Sequence, residues 1–284
     1  MAGESTAGSI AAYINDIWEA AVLVARENTV MAGLVNFYGD RTGLAERYFS
    51  RYTGGSVPTL AETSDLSAQT FTPGTISKLT PAQFGAQYFI TDLRIESDPF
   101  QVRQDAAQDL GELFAVHVDT NLCGTAVFGA LTGGTVGAAG GTLGWAEIMK
   151  AISYLRRQHV PQPYACVLEP GQWYHLAATI APGATLTNSP ALQDAVARQY
   201  FVGNAFGVDF YVDSNIPAGT ACKGAMFGRQ AIALDVRRAL RIETQRDASR
   251  GGGGWELNAT QVYAYGVWNP LAGVQVIGTS VIPT

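Results

Sequence analysis

Between Ser97 and Leu122 the chain reads SDPFQVRQDAAQDLGELFAVHVDTNL, and this stretch limits the fold more than any other. Asp98 can cap a helix whose first turn accepts Pro99, and Asp105, Asp109 and Glu112 fall in its first half, where carboxylates favour the helix dipole. Ala106, Leu110, Leu113, Phe114, Val118 and Leu122 recur at helical period, and Gly124 ends the run. About 25 residues at ~1.5 Å each predict a rod of roughly 37 Å, long enough to carry other elements along its length. Asp98, Asp105, Asp109, Glu112 and Asp119 face a single Arg103, so the outer side of the rod is expected to be acidic and to need water or a basic partner.

Composition decides what covers such a scaffold. Charged residues are 15% of the 284, against about 25% in an ordinary soluble domain, while apolar residues reach 47%. Much of the surface is therefore expected to be covered, most simply by copies of the same chain. The net charge of −6 argues against a dedicated nucleic-acid binder. No apolar run approaches the roughly 20 residues that span a bilayer, and MAGESTAGSIAAY lacks the basic-then-apolar order of a secretion signal. Cys123, Cys166 and Cys222 are odd in number and widely spaced, which reads as small buried side chains in a reducing compartment.

Along the chain, Ser9–Asn28 predicts an amphipathic helix through Ile10, Ile14, Ile17, Trp18, Ala21, Val24 and Ala25. Trp18 on so short an element needs a socket, on this chain or a neighbour. RTGLAERYFSRYTGG follows as a short helix or irregular connector. Ser56–Ile90 holds only Glu62, Asp65 and Lys78 as charged residues. That is too few for a solvated linker, and too little of the stretch is apolar for a core of its own. VPTLA, GTISKL and AQYFITDLRIE read as strands, so the segment is expected to be a two-stranded arm lying on another subunit. GTAVFGALTGGTVGAAGGTLG, with eight glycines, has no lysine or Gly-x-Gly-x-x-Gly for a phosphate cradle and reads as a flexible junction.

Residues 143–235 alternate helices and strands, as in an α/β unit. A helix runs from Trp145 with Ile148, Ala151, Ile152 and Leu155 inward; PQPYACVLEP is a strand, GQWYHLAATI a helix and PALQDAVARQY another. The strands LRIETQR, WELNATQVYAYGVWNP and GVQVIGT close the chain as an antiparallel sheet. Arg237, Arg238, Arg241, Arg246 and Arg250 against Glu243 and Asp247 leave this region with net +3, the counterpart of the acidic rod within the chain or across an interface.

No chemistry of catalysis stands out. His117, His159 and His175 lack metal-ligand spacing, there is no Gly-x-Ser-x-Gly elbow, and Asp209 with Asp213 reads as a surface turn rather than an acid/base pair. No catalytic, cofactor-binding or metal-binding residue is assigned.

The order of parts resembles that of tailed-bacteriophage major capsid proteins with the Hong-Kong-97-type coat fold. The local likeness is carried by ITDLRIESDPFQVRQDAAQDLGELFAVHVDTNL, by AEIMKAISYLRRQHVPQPYACVLEPGQWYHL, and by FGVDFYVDSNIPAG with KGAMFGRQAIAL and LRIETQRDA. The resemblance implies an α+β fold with an N-terminal arm over 1–55, an extended β-hairpin loop over 56–93 and a peripheral domain with a long spine helix over 94–142. An α/β axial domain would occupy 143–235, and 236–284 would return to the peripheral domain. It implies a non-enzymatic shell protein that assembles with itself as hexamers and pentamers into an icosahedral head around packaged double-stranded DNA, held weakly and non-specifically. Scaffolding, portal and decoration proteins are further implied partners; the subunit would wait in the host cytoplasm before entering the virion. Some relatives weld subunits through a loop lysine and a peripheral asparagine, for which Lys78 with Asn258 or Asn269 are the matching positions, although a solvated or interfacial amine is the simpler role for Lys78. The expected assembly residues are Trp18, Lys78, Arg237, Arg238, Arg241, Asp105, Asp109 and Glu112. An encapsulin-like nanocompartment shell and an α/β hydrolase-like enzyme are the alternatives.

Overall fold

A computed structural model describes residues 30–40, 45–52, 55–57, 59–60, 62, 65–66, 68–70, 73–97, 102–178, 201–250 and 252–282. The helices expected over Ser9–Asn28, with Trp18, and over PALQDAVARQY lie outside the described residues, as do Asp98 and Pro99. In chain order the elements are α1 (Met31–Leu34), β1 (Asn36–Tyr38), β2 (Arg47–Tyr52), β3 (Pro73–Leu79), β4 (Ala82–Thr91), α2 (Asp92–Ser97), α3 (Val102–Cys123) and α4 (Thr125–Phe128). They continue as β5 (Thr135–Gly137), α5 (Trp145–Arg157), β6 (Tyr164–Leu168), α6 (Pro170–Ala178), β7 (Phe201–Ala205), β8 (Val208–Val212), β9 (Cys222–Gly228), β10 (Ile232–Asp247), β11 (Gly254–Val267) and β12 (Gly273–Gly278).

The strands form a four-stranded sheet in the order β1-β10-β11-β4, a six-stranded sheet β5-β12-β9-β6-β8-β7, and the separate hairpin β2-β3. The spine helix α3 serves two cores. Ala107, Leu110 and Phe114 pack with Ile90, Leu240, Ile242, Leu257 and Ala259 of the four-stranded sheet. One and two turns further on, Val118, Leu122 and Cys123 enter the larger core shared with β6, β8, β9 and β12. A helix with two apolar neighbours cannot keep one clean stripe. Leu113, expected inward, is 47% exposed, and Asp119, expected on the acidic outer face, is fully buried.

Several local expectations are corrected. RYFSRY is strand β2, the antiparallel partner of β3, and not a helix or irregular connector; VPTLA is not a strand at its described positions. The alternation of Arg47 and Phe49 with Tyr48 puts the first two on one face, against the four-stranded sheet, and Tyr48 on the other. DLRIES is helix α2, not the end of a strand. The glycine-rich stretch is no loose junction. It holds α4 and β5 and is bonded through Thr132 and Gly133 N–H to Pro270 O, and through Gly140 N–H to Thr220 O. Close approach explains the glycines: a Cβ on Gly133 would sit 2.6 Å from the carbonyl oxygens of Leu271 and Gly273.

The terminal strands also divide differently. β12 does not extend the sheet of β10 and β11; it lies between β5 and β9. Val274 and Val276 are buried, and Gln275 donates to the carbonyls of Gly129 and Leu131, so β12 is matched to an interior position. In α5 all four expected inward residues, Ile148, Ala151, Ile152 and Leu155, are buried, and Glu147 accepts from the Gly144 N–H at the helix start.

Candidate assembly surface

The β2-β3 hairpin is a sheet of its own, and its root is built from residues far apart in sequence. Phe49 stacks on Trp268 with ring centroids 4.5 Å apart, and Tyr38 packs against the same indole at 5.3 Å. Leu79, Ala233 and Ala264 complete this small core. Beside it the Arg47 Nε lies 3.2 Å from Asp235 Oδ2, while Arg237 Nε reaches the same oxygen at 2.8 Å. Arg47 also bonds Asp40 and lies over the Tyr38 ring at 4.5 Å. Asp235 is fully buried, so its charge has to be met by these cations. Neither Arg47 nor Asp235 belongs to a recognisable motif. The signal within reach was one aspartate inside the otherwise apolar run AIALDV.

Beyond that root the hairpin presents apolar side chains to solvent: Val57 is 100% exposed, Leu66 83% and Leu60 52%. Lys78 is exposed on β3 and pairs with Glu46 at 3.2 Å; Tyr48 and Thr80 donate to the same carboxylate. Those bonds, from Tyr48 first, then Thr80 and Lys78, hold Glu46 down to about 2. Asn258 lies within β11, opposite Glu243 and Gln87, and Asn269 precedes the turn at Pro270–Ala272.

Among the described residues, the ion pairs of the basic strand are made with carboxylates other than those of the spine helix. Asp105, Asp109 and Glu112 are exposed on α3, where Tyr88 donates to Asp109. Arg241 pairs with Glu243, Arg246 with Asp92, and Arg250 with Asp247 and Glu256. Arg238 sits at a bulge of β10, its Nε buried without a hydrogen-bond partner among the described residues.

At the end of the spine, Asp119 accepts the N–H groups of Val30 and Met31 at 3.2 and 3.3 Å. Burial, and then the nearby Asp213, push its carboxyl up to about 7. Cys123 donates to Asp213 at 3.1 Å, so Asp213 is a buried acceptor rather than a surface turn residue. Asp209 instead accepts from Asn204. All three cysteines are buried and free, with their thiols raised by burial. His175 meets Val281 O at 2.8 Å, and Tyr263 lies 2.8 Å from His117 Nδ1. Among the described residues no group of three or more His, Cys, Asp or Glu is placed to hold a metal, and no helix is long and apolar enough to cross a membrane.

Two sheets strung on one spine helix, with a projecting hairpin, define a shell-forming coat protein. The family model for phage capsid protein matches residues 75–276, most of the chain. The chain belongs to that family and is a major capsid protein. No curated protein matches. The capsid of Ralstonia phage GP4 is similar over 88% of each chain at 12% identity and a TM-score of 0.69. Mycobacterium phage Che8 is similar over 87% of this chain and 90% of that one, at 17% identity and a TM-score of 0.67. A virus-like particle from Pyrococcus furiosus shares the fold over 93% and 99%, at 9% identity and a TM-score of 0.59. At such identities the likeness establishes the α+β coat fold, and the family match is to phage capsid protein, with nothing in the comparisons favouring the nanocompartment or hydrolase alternatives.

Proposed function

We propose that copies of this subunit join as hexamers and pentamers into an icosahedral head that encloses double-stranded DNA. The observation carrying this reading is the hairpin: firmly rooted at Trp268 and Asp235, it holds Val57 and Leu66 in open solvent, a costly exposure unless a neighbour covers them. In this reading the β2-β3 hairpin is the extended loop, the four-stranded sheet with the first part of the spine helix is the peripheral domain, and the six-stranded sheet, β5 and β12 included, is the axial domain. Asp105, Asp109 and Glu112 of one subunit face the exposed Arg241 of another, with Lys78 at the loop contact, while Arg237 and Arg238 are held within their own subunit. Exposed pairs of this kind add at most about 1 kcal/mol each, so they set register while repetition around each ring supplies avidity. DNA is held weakly, and scaffolding, portal and decoration proteins join a subunit that waits in the host cytoplasm. The chemistry of the chain is that of assembly rather than catalysis.

Deletion of residues 55–70 tests this reading. The cut has to stop before β3, because Leu79 is part of the Trp268 core. The expected product is a folded, soluble subunit that forms no closed particle by electron microscopy, while the full chain forms particles with nuclease-protected DNA. Normal particles from the deletion would contradict the role of the loop, and particles filled with protein cargo in place of DNA would contradict the head.

A further inference from the structure

The four-stranded sheet has two borders, and they are built differently. On one side β10 runs on past the three residues it pairs with β1, and over residues 236–247 it has no further strand beside it among the described residues. That border is guarded. Its register with β11 shifts on both sides of Arg238, and Arg241 and Arg246 stand exposed along it. Bulges and charges of this kind keep an edge from accepting another strand. The other border is β4, and it has no such guard. Its ten residues, AQFGAQYFIT, hold no charge and no proline, and they pair with β11 without one shift in register. At ~3.3 Å per residue this is a regular edge of about 33 Å, bonded on one side only among the described residues.

Length, charge and shape point to one occupant. Among the described residues no other open border offers a regular run of ten: the unshifted part of β10 is seven residues, 241–247, and β2, β3, β5 and β7 have seven or fewer. The strand that matches β4 along its whole length is therefore β4 of a second copy. Charge sets the direction. Asp105 and Asp109 lie beside the Tyr88 end of the strand, with Arg94 as the single cation there. Parallel pairing would set two acidic ends side by side, whereas antiparallel pairing sets each beside the uncharged Ala82 end of the other. Leu113 and Val116, each 47% exposed, line a largely apolar cavity of about 420 Å³ with Phe84 and Ala86 of β4. A two-fold axis through the joined strands brings both of these apolar sets to one face of the junction, where they cover one another. Such a contact is isologous, so it closes with two copies and leaves neither edge open. We propose that β4 of one subunit pairs antiparallel with β4 of a second, joining two four-stranded sheets into one of eight strands. This rests on the reading that copies of the chain associate, but it does not require that they close into a head.

Two-fold symmetry admits two registers of nearly full overlap, one with Ala86 facing its own copy and one with Gln87 doing so. Ala86→Cys and Gln87→Cys, each alone in the full chain, are treated in concentrated protein with a short bismaleimide. Gln245→Cys, exposed on β10 toward the guarded border, is the control. The three natural thiols are buried and compete little. One of the two β4 variants is expected to convert mostly to a covalent dimer, with about tenfold less from the control. No dimer from either variant, or as much from the control, would overturn the proposal. Closed particles are scored separately by electron microscopy. Particles without the link would sink this contact and leave the head standing, and the link without particles would do the reverse. Hydrogen exchange on the unsubstituted chain gives a second reading. Alternate amides of an edge strand point away from its one neighbour, so about half of those in β4 should slow at least tenfold on association. Unchanged exchange in β4 would also overturn the proposal.

Discussion

Arg47 and Asp235 stand 188 residues apart in sequence and meet at 3.2 Å, joining the root of the projecting hairpin to the central strand of the four-stranded sheet. Arg237 lies on the same carboxylate at 2.8 Å, so one buried aspartate joins two cations, one from the hairpin and one from the sheet. Asp235→Ala takes away the buried carboxylate that Arg47 and Arg237 share, leaving Arg47 only the exposed Asp40, and is expected to cost about 3–5 kcal/mol. Denaturant unfolding of the unassembled subunit reads this directly; a loss under about 1 kcal/mol would show that the network is not structural.

Trp268 is the apolar half of the same root. Truncation to alanine removes the surface on which Phe49 and Tyr38 stack and leaves a cavity beside Leu79. The expected loss is about 3–5 kcal/mol, with hydrogen exchange rising first in β2 and β3 and later in the six-stranded sheet. Uniform loss of protection would argue against a locally rooted hairpin.

The carboxyl of Asp119 has its own pH signature. In the unfolded chain it releases its proton near 3.8, whereas in the folded chain it holds it up to about 7. The folded state therefore binds more protons between those values, and this group's contribution makes stability fall as pH rises from about 4 to 7 and stay level above. The size of the fall is on the order of 4 kcal/mol. Asp119→Asn, which keeps an acceptor for Val30 or Met31, should flatten the profile. Urea midpoints of both proteins at pH 5 and pH 8 provide the comparison, and equal slopes would refute the assignment.

Gly137 has a positive φ of 77°, and a Cβ there would lie 2.0 Å from Ile277 O. Gly137→Ala combines backbone strain with a clash against β12 and should cost about 2–3 kcal/mol. Gly140→Ala shares the positive φ but has open space around it, so it should cost about half as much. Thermal melts of the two variants separate crowding from strain.

Much of this architecture was legible in residue order. The period of α5 named its four buried residues correctly, and GQWYHLAATI was read as a helix, although Pro170, assigned to the end of the preceding strand, is the first residue of α6. The spine helix was found by its period too, yet two of its members were misplaced. Leu113 was assigned to the core because periodicity counts apolar residues without knowing how many neighbours a helix has. Asp119 was assigned to water because charge is normally solvated, and only the Val30 and Met31 N–H groups account for its burial. The acidic and basic runs were matched by total charge, but pairs such as Arg241 with Glu243 and Arg250 with Asp247, two and three residues apart, satisfy several of those cations first.

The sequence by itself determined the kind of molecule: a helix long enough to be a spine, an α/β unit inserted after it, and too little charge to face water alone. These follow from local period and composition, which are properties of neighbouring residues. Only the tertiary structure decided that β2, not VPTLA, partners β3, that β12 crosses into the six-stranded sheet, and that Asp235 and Trp268 root the hairpin. Those outcomes depend on contacts between residues scores of positions apart, where the burial of one charge or one ring is settled by whichever distant group can meet it.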